Sequence, residues 1–210
     1  MTARLHCFGE SGNCYKAALT LELSGYPWEP VWLDFFHGGA RSPEFLALNE
    51  MGEAPVFVED GTLLTQSCVI QLHVAERTGR FLPPPELRPE MLRWMFWDGQ
   101  KGSGQQGALR FLMNFLPADR RLPAAETWLA NRVGAALGTL ERHLAGRDWM
   151  VGEAPSLADL ACCGYLFYPE PFAFDRKALP AIDAWLDRIA ALPGWKHPYE
   201  LMPGNPSDRA

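Results

Sequence analysis

An α/β first half followed by an all-helical second half is the architecture this sequence predicts, and three observations predict it. Short apolar runs and helical spacings alternate near the N-terminus, as strand–helix–strand and then strand–strand–helix. Three consecutive prolines, Pro83-Pro84-Pro85, make a stiff extended boundary. Beyond them every periodic segment has helical spacing. Residues 1–80 read as the first domain, 81–87 as the linker and 88–210 as the second domain.

Residues 3–8 alternate and predict a first strand. A loop over residues 9–13 follows. Cys14, Ala17 or Ala18, and Leu21 then recur at three to four residues, which predicts a helix to Ser24, stopped by Gly25 and Pro27. Val31-Trp32-Leu33 reads as a second strand, starting after Pro30. A glycine-containing loop over residues 35–41 leads to a helical turn at Ser42-Pro43-Glu44-Phe45. The stretch 49–71 is the most informative. It reads as an Ala54-Pro55 step, a strand Val56-Phe57-Val58, an Asp60-Gly61 type I′ turn, a strand Leu63-Leu64, and a helix opening at Gln66-Ser67. A proline at the mouth of a strand predicts an edge position, because it cannot donate to a central ladder. The backbone of Ala54 is then left for an outside chain to pair with. In the second half, a long helical stretch from Leu87 to about Phe115 is expected to break at the glycine-rich centre, residues 98–104. Glu126–Leu144 and Ala181–Leu192 read as further helices, and Ser156-Leu157-Ala158-Asp159 as a capping box.

Composition narrows the function classes. No apolar run approaches the roughly 20 residues of a membrane span, and the first residues lack a signal-peptide core. A net charge of −6 argues against nucleic acid or an anionic membrane as partner. Residues 1–80 carry five basic against ten acidic residues, so the acidity sits in the first domain. Five cysteines without a regular framework suit a reducing cytoplasm. No His/Cys spacing suggests zinc, and no metal site is predicted.

Gln66 and Ser67 fall where helix N–H groups gather, a seat for a carboxylate or phosphate. With the Ala54 edge nearby, the hairpin fits a small peptide that carries a carboxylate. Cys14, in a first helical turn, has two readings: a low-pKa thiol for disulfide exchange, or a core residue on the inward side of its helix.

Ser11-Gly12-Asn13-Cys14-Tyr15-Lys16 with Gly25 and Pro27, Pro43-Glu44-Phe45 with Asn49, Gly52-Glu53-Ala54-Pro55, Gln66-Ser67 and the 156–159 box stand in an order that resembles the cytosolic glutathione transferases, most closely bacterial members of theta- or nu-like type. The resemblance runs from about residue 4 to residue 200. It implies a thioredoxin-like first domain, an all-α helical-bundle second domain, a cis Pro55 and a homodimer, with glutathione as co-substrate and a detoxifying role. Carried over by position, it implies that Ser11 activates the thiol, with Asn13 beside it. Ala54 and Pro55 would hold the cysteinyl part, and Gln66 and Ser67 the γ-glutamyl end. Two departures stand out. Glu53 occupies a position often Lys or Gln in relatives. A histidine some relatives carry is Ala40 here, which leaves His37 or Arg41 as its substitute. Trp94, Trp97, Phe111 and Tyr165 are candidates for an apolar electrophile pocket in the second domain; aromatics at this spacing are more often core residues. The resemblance implies a transferase adding the thiolate to an apolar electrophile. A glutathione-dependent disulfide or peroxide reductase and a non-catalytic binding protein are the alternatives.

Overall fold

A computed structural model describes residues 2–204, which form two compact units: 2–82 with 192–204, and 83–191. In the first, strand β1 (Ala3–Cys7) leads into helix α1 (Gly12–Leu23) and strand β2 (Trp28–Trp32). Helix α2 (Pro43–Leu48), strands β3 (Val56–Glu59) and β4 (Thr62–Thr65), and helix α3 (Ser67–Thr78) follow. The sheet order is β2-β1-β3-β4. β1 pairs parallel with β2 and antiparallel with β3, and β3 pairs antiparallel with β4. This is the thioredoxin-like arrangement. α1 and α3 pack together over Leu5, Leu19, Phe57, Ile70 and Val74, all fully buried.

The proline on the edge strand is not the one expected there. β3 is an inner strand, so Pro55 does not mark an edge. It stands just outside the ladder, whose register begins at Val56, and the ladder has no use for its missing N–H. β2 is the edge strand, and it runs through Pro30, opposite Leu5, where the expected strand had begun only at Val31. A proline on an outer strand turns its donor-less side to solvent at little cost. The Asp60-Gly61 turn has φ of 46° and 80°, the two positive values a type I′ hairpin needs.

The second unit is helical: α4 (Arg88–Lys101), α5 (Ser103–Asn114), α6 (Pro123–Leu144), α7 (Leu157–Cys162) and α8 (Pro180–Ala190). α4 packs on α5 and α7, and α6 on α5 and α8. The break expected in the glycine-rich stretch falls at Gly102 (φ −84°, ψ −100°). Buried Asp98 holds it, accepting from the Ser103 amide at 3.1 Å and hydroxyl at 2.9 Å. Asp159 closes the capping box with the Ser156 amide at 2.8 Å and also accepts from Trp185 Nε1 at 2.9 Å. Glu141 of α6 accepts from the Ala181 and Ile182 amides, both at 2.9 Å, and so caps α8 from a neighbouring helix. No described helix is long and apolar enough to cross a membrane.

After α8 the chain returns to the first unit, where α9 (Pro198–Leu201) packs on α1. This explains why α1 is buried nearly all round rather than along the one stripe its spacing predicts. The sheet and α3 cover part of it, and the returning tail covers more.

Candidate functional site

α1 begins on Ser11 in extended geometry (φ −90°, ψ 111°), and its Oγ accepts from the Cys14 amide at 3.1 Å. That is an N-cap, favoured because serine satisfies a donor the helix cannot. An accepting hydroxyl keeps its proton for another partner. Ser11 is buried, while Asn13, two residues on, is only half-buried between buried Gly12 and Cys14. Cys14 is fully buried, and burial pushes its thiol up to about 12, with the Glu10 charge adding to the rise. Hydrogen bonds with Ser11 and the Phe8 backbone pull it down, but less strongly. At pH 7 only about one part in 10⁵ of such a thiol is ionised. Of the two readings of Cys14, core packing holds.

The second group gathers around the 49–55 loop. Ala54–Pro55 is cis. Asn49 organises the turn before it: its Nδ2 donates to the Glu53 carbonyl at 2.7 Å and its Oδ1 accepts from the Met51 amide at 3.2 Å. Glu53 Oε2 accepts from Gln66 Nε2 at 3.1 Å, and the same amide lies 3.5 Å from Met51 Sδ. Gln66 has φ 69° and ψ 120°, outside the regions a residue with a Cβ favours. No side chain caps α3 at this point. Ser67, its first residue, is buried, while Glu53 and Gln66 are exposed. Arg41 donates to the Met51 carbonyl at 3.3 Å, and its guanidinium lies over Gly52. His37 instead pairs with Asp34 at 2.8 Å. The structure therefore brings Arg41, Glu53, Ala54 and Gln66 onto one loop cluster and leaves His37 to its own turn.

The second-unit aromatics separate. Trp94 is buried, bonds Glu90 through Nε1 at 3.0 Å and lies 4.3 Å from the His143 ring. Tyr165 is buried over Gly107, where an added Cβ would stand 2.7 Å from its hydroxyl. Trp97 meets Trp94 edge-on at 5.1 Å and is half-buried; Phe111 is 38% exposed. Only Trp97 and Phe111 of these four offer appreciable surface. Asn49, the Gln66 backbone and the returning tail were missed by sequence reasoning as parts of the site. Asn49 had a signal, its place in the family pattern. A positive φ at a glutamine and a tail folding back on α1 have none.

Residues 3–76 match the family described as Glutathione S-transferase, N-terminal domain, and residues 118–193 match Glutathione S-transferase, C-terminal domain. The crystal structure of a glutathione S-transferase from Xanthobacter autotrophicus Py2 is 40% identical and superposes with a TM-score of 0.87, covering 95% of this chain and 98% of that one. The disulfide-bond oxidoreductase YfcG of Escherichia coli K12 is 28% identical over 194 residues, 89% of either chain. A glutathione transferase from Burkholderia graminis, solved with two glutathione molecules bound per subunit, is 25% identical with a TM-score of 0.81, over 92% of this chain and 85% of that one.

Proposed function

Since the chain belongs to the cytosolic glutathione transferase family, we propose that it binds glutathione along the 49–55 loop and the start of α3, and that Ser11 holds the thiolate for attack on an apolar electrophile. The carrying observation is Ser11: its oxygen accepts the Cys14 amide, so its own O–H is the donor that a sulfur at the mouth of α1 would take. Asn13, in the same first turn, stands ready to assist. The residues around the second group suit the rest of the tripeptide. The Ala54 backbone, outside the ladder, is free to pair with the cysteinyl unit. The amides opening α3 suit the γ-glutamyl carboxylate, and Glu53, drawn to that end by Gln66, meets its ammonium. An acid at this position is then complementary rather than repellent. Arg41 beside Met51 and Gly52 suits the glycine carboxylate, whereas His37 is engaged by Asp34. Trp97 and Phe111 are the second-unit aromatics left to meet an apolar electrophile.

Magnitudes assign the labour. A free thiol of pKa about 8.5 is roughly 3% thiolate at pH 7, and a fall of about 2 units raises this to about 75%. The thiolate loses roughly 6- to 10-fold in intrinsic nucleophilicity on the way. The net gain is only about 3-fold, so most of a large acceleration comes from holding the electrophile against the sulfur. Ser11→Ala is therefore expected to lower conjugation of a chloronitrobenzene at pH 7 only about 3-fold and to move the pH profile up by about 2 units. Glutathione affinity at pH 7 should fall only about fourfold, the part that the lost thiolate stabilisation contributes. An unmoved profile removes Ser11 from the mechanism.

A second reading is a glutathione-dependent disulfide reductase, favoured by the likeness to YfcG and by half-exposed Asn13. Since Cys14 is buried and protonated, the exchange would run on glutathione sulfur alone: the thiolate attacks one sulfur of a mixed disulfide, and the other leaves as a thiolate. Oxidised glutathione formed faster than any conjugate supports this reading. Its absence from a panel of mixed disulfides rejects it. Tight glutathione binding with neither activity would leave a binding protein of the same fold.

A further inference from the structure

The loop that delivers Ser11 is held from behind by the returning tail. The Gly9 amide donates to the Pro203 carbonyl at 2.5 Å. A Cβ at Gly9 would stand 3.1 Å from the Gly204 carbonyl, 3.1 Å from Tyr199 Cδ1 and 3.2 Å from the Pro203 carbonyl. From the other side, a Cβ at Gly204, which has φ +96°, would reach Glu10 Oε2 and Trp32 Nε1 at 3.3 Å. Two glycines thus let two backbones meet more closely than side chains allow. Further along, the Tyr15 hydroxyl donates to the Lys196 carbonyl at 2.9 Å, and Lys196 Nζ pairs with Glu22 at 2.6 Å. Trp28 Nε1 also donates to Glu22 at 3.0 Å. Burial pushes the Glu22 carboxyl up, but Lys196 and Trp28 outweigh it and hold it below the usual range. The tail therefore grips α1 before its cap, at the end of its first turn and near its end.

We propose that residues 196–204 are a strap that positions Ser11, with Gly9 and Tyr15 as positioning residues for the thiolate site. This inference rests on the assignment of Ser11. The cap bond to Cys14 fixes the Ser11 oxygen relative to α1, but the loop entering α1 contains Gly9 and needs a second point of attachment. The Pro203 carbonyl supplies it two residues upstream. A displacement of about 1 Å at a reacting group can cost up to about 100-fold in rate, so a strap on this loop has leverage on chemistry without touching glutathione.

The test measures kcat/KM for a chloronitrobenzene at saturating glutathione as a function of pH, with glutathione affinity by calorimetry and thermal stability alongside. Gly9→Ala, which makes the tail give way by a few tenths of an ångström, is expected to raise the apparent pKa of the bound thiol by about 1 unit. It should lower kcat/KM at pH 6.5 about twofold, less than Ser11→Ala does, with glutathione affinity held within about twofold. Tyr15→Phe, which removes one hydroxyl and keeps the core, should give a smaller shift in the same direction and keeps the test alive if Gly9→Ala fails to fold. Glu141→Gln, which loosens α8 in the other unit, serves as the control: it should lower stability without moving the profile. Adding Gly9→Ala to Ser11→Ala should produce no further shift, because both act on one proton. A profile unmoved by Gly9→Ala and Tyr15→Phe, while Ser11→Ala moves it, overturns the strap alone. A profile unmoved by all three overturns the Ser11 assignment beneath it.

Discussion

The two long helices of the first unit begin in opposite ways. α1 opens on Ser11, a buried serine in ordinary extended geometry whose oxygen caps the first turn. α3 opens on Gln66, an exposed residue at φ 69° whose side chain caps nothing and turns to Glu53. The first start is closed by the chain itself and the second is left open. A helix start that satisfies its own donors contributes to stability, and one that does not is available to an anion from outside. The local cost also differs. An N-cap serine stabilises by about 1 kcal/mol, whereas a residue held at such a φ costs on the order of 1–3 kcal/mol. Under the proposed function, the stable start carries the reacting hydroxyl and the strained start the binding surface.

The contrast breaks most visibly at Cys14. If the start of α1 is as closed as its burial indicates, a thiol pushed up to about 12 is overwhelmingly protonated at pH 8. Iodoacetamide should then modify Cys14 about three orders of magnitude more slowly than a free thiol, read by mass spectrometry of the digested protein. Labelling within minutes would mean that α1 opens readily. At the other start, Glu53→Gln should weaken glutathione about tenfold by calorimetry, through loss of one charge-assisted bond, with the pH profile of turnover unchanged. No loss would return the ammonium to Gln66 or to solvent. The smallest effects are the stability changes, and they should have opposite signs. Ser11→Ala is expected to cost about 1 kcal/mol, a fall of roughly 2–4 °C in Tm. Gln66→Gly should raise stability by about 1 kcal/mol as strain is relieved, while weakening glutathione. Equal signs in calorimetric melts would dissolve the comparison.

Much of this molecule was legible in its residues because the signals are local. Asp60-Gly61 can only turn one way between two apolar runs, and both residues have positive φ. Ser11 and Ser67 fall at helix starts because serine and the apolar spacing after it dictate where the first turn begins. The glycine-rich stretch at 98–104 announced a break, and Asp98 anchors it. Local rules misled where a residue's meaning depends on a distant neighbour. Pro30 and Pro55 are alike in sequence; which of them lies on an outer strand depended on the pairing of β1 with both β2 and β3. Trp94 and Phe111 both recur at helical spacing, and only packing put one in the core and the other at the surface.

By itself the chain determined its elements, its family and the residues of its two helix starts, because each rests on contacts a few residues long. Only the tertiary structure decided which start is closed and which open, that Arg41 and not His37 joins the 49–55 loop, and that the tail doubles back to grip α1. Those outcomes depend on groups up to 194 residues apart, as Gly9 and Pro203 are, and no local pattern encodes a meeting that only the folded backbone brings about.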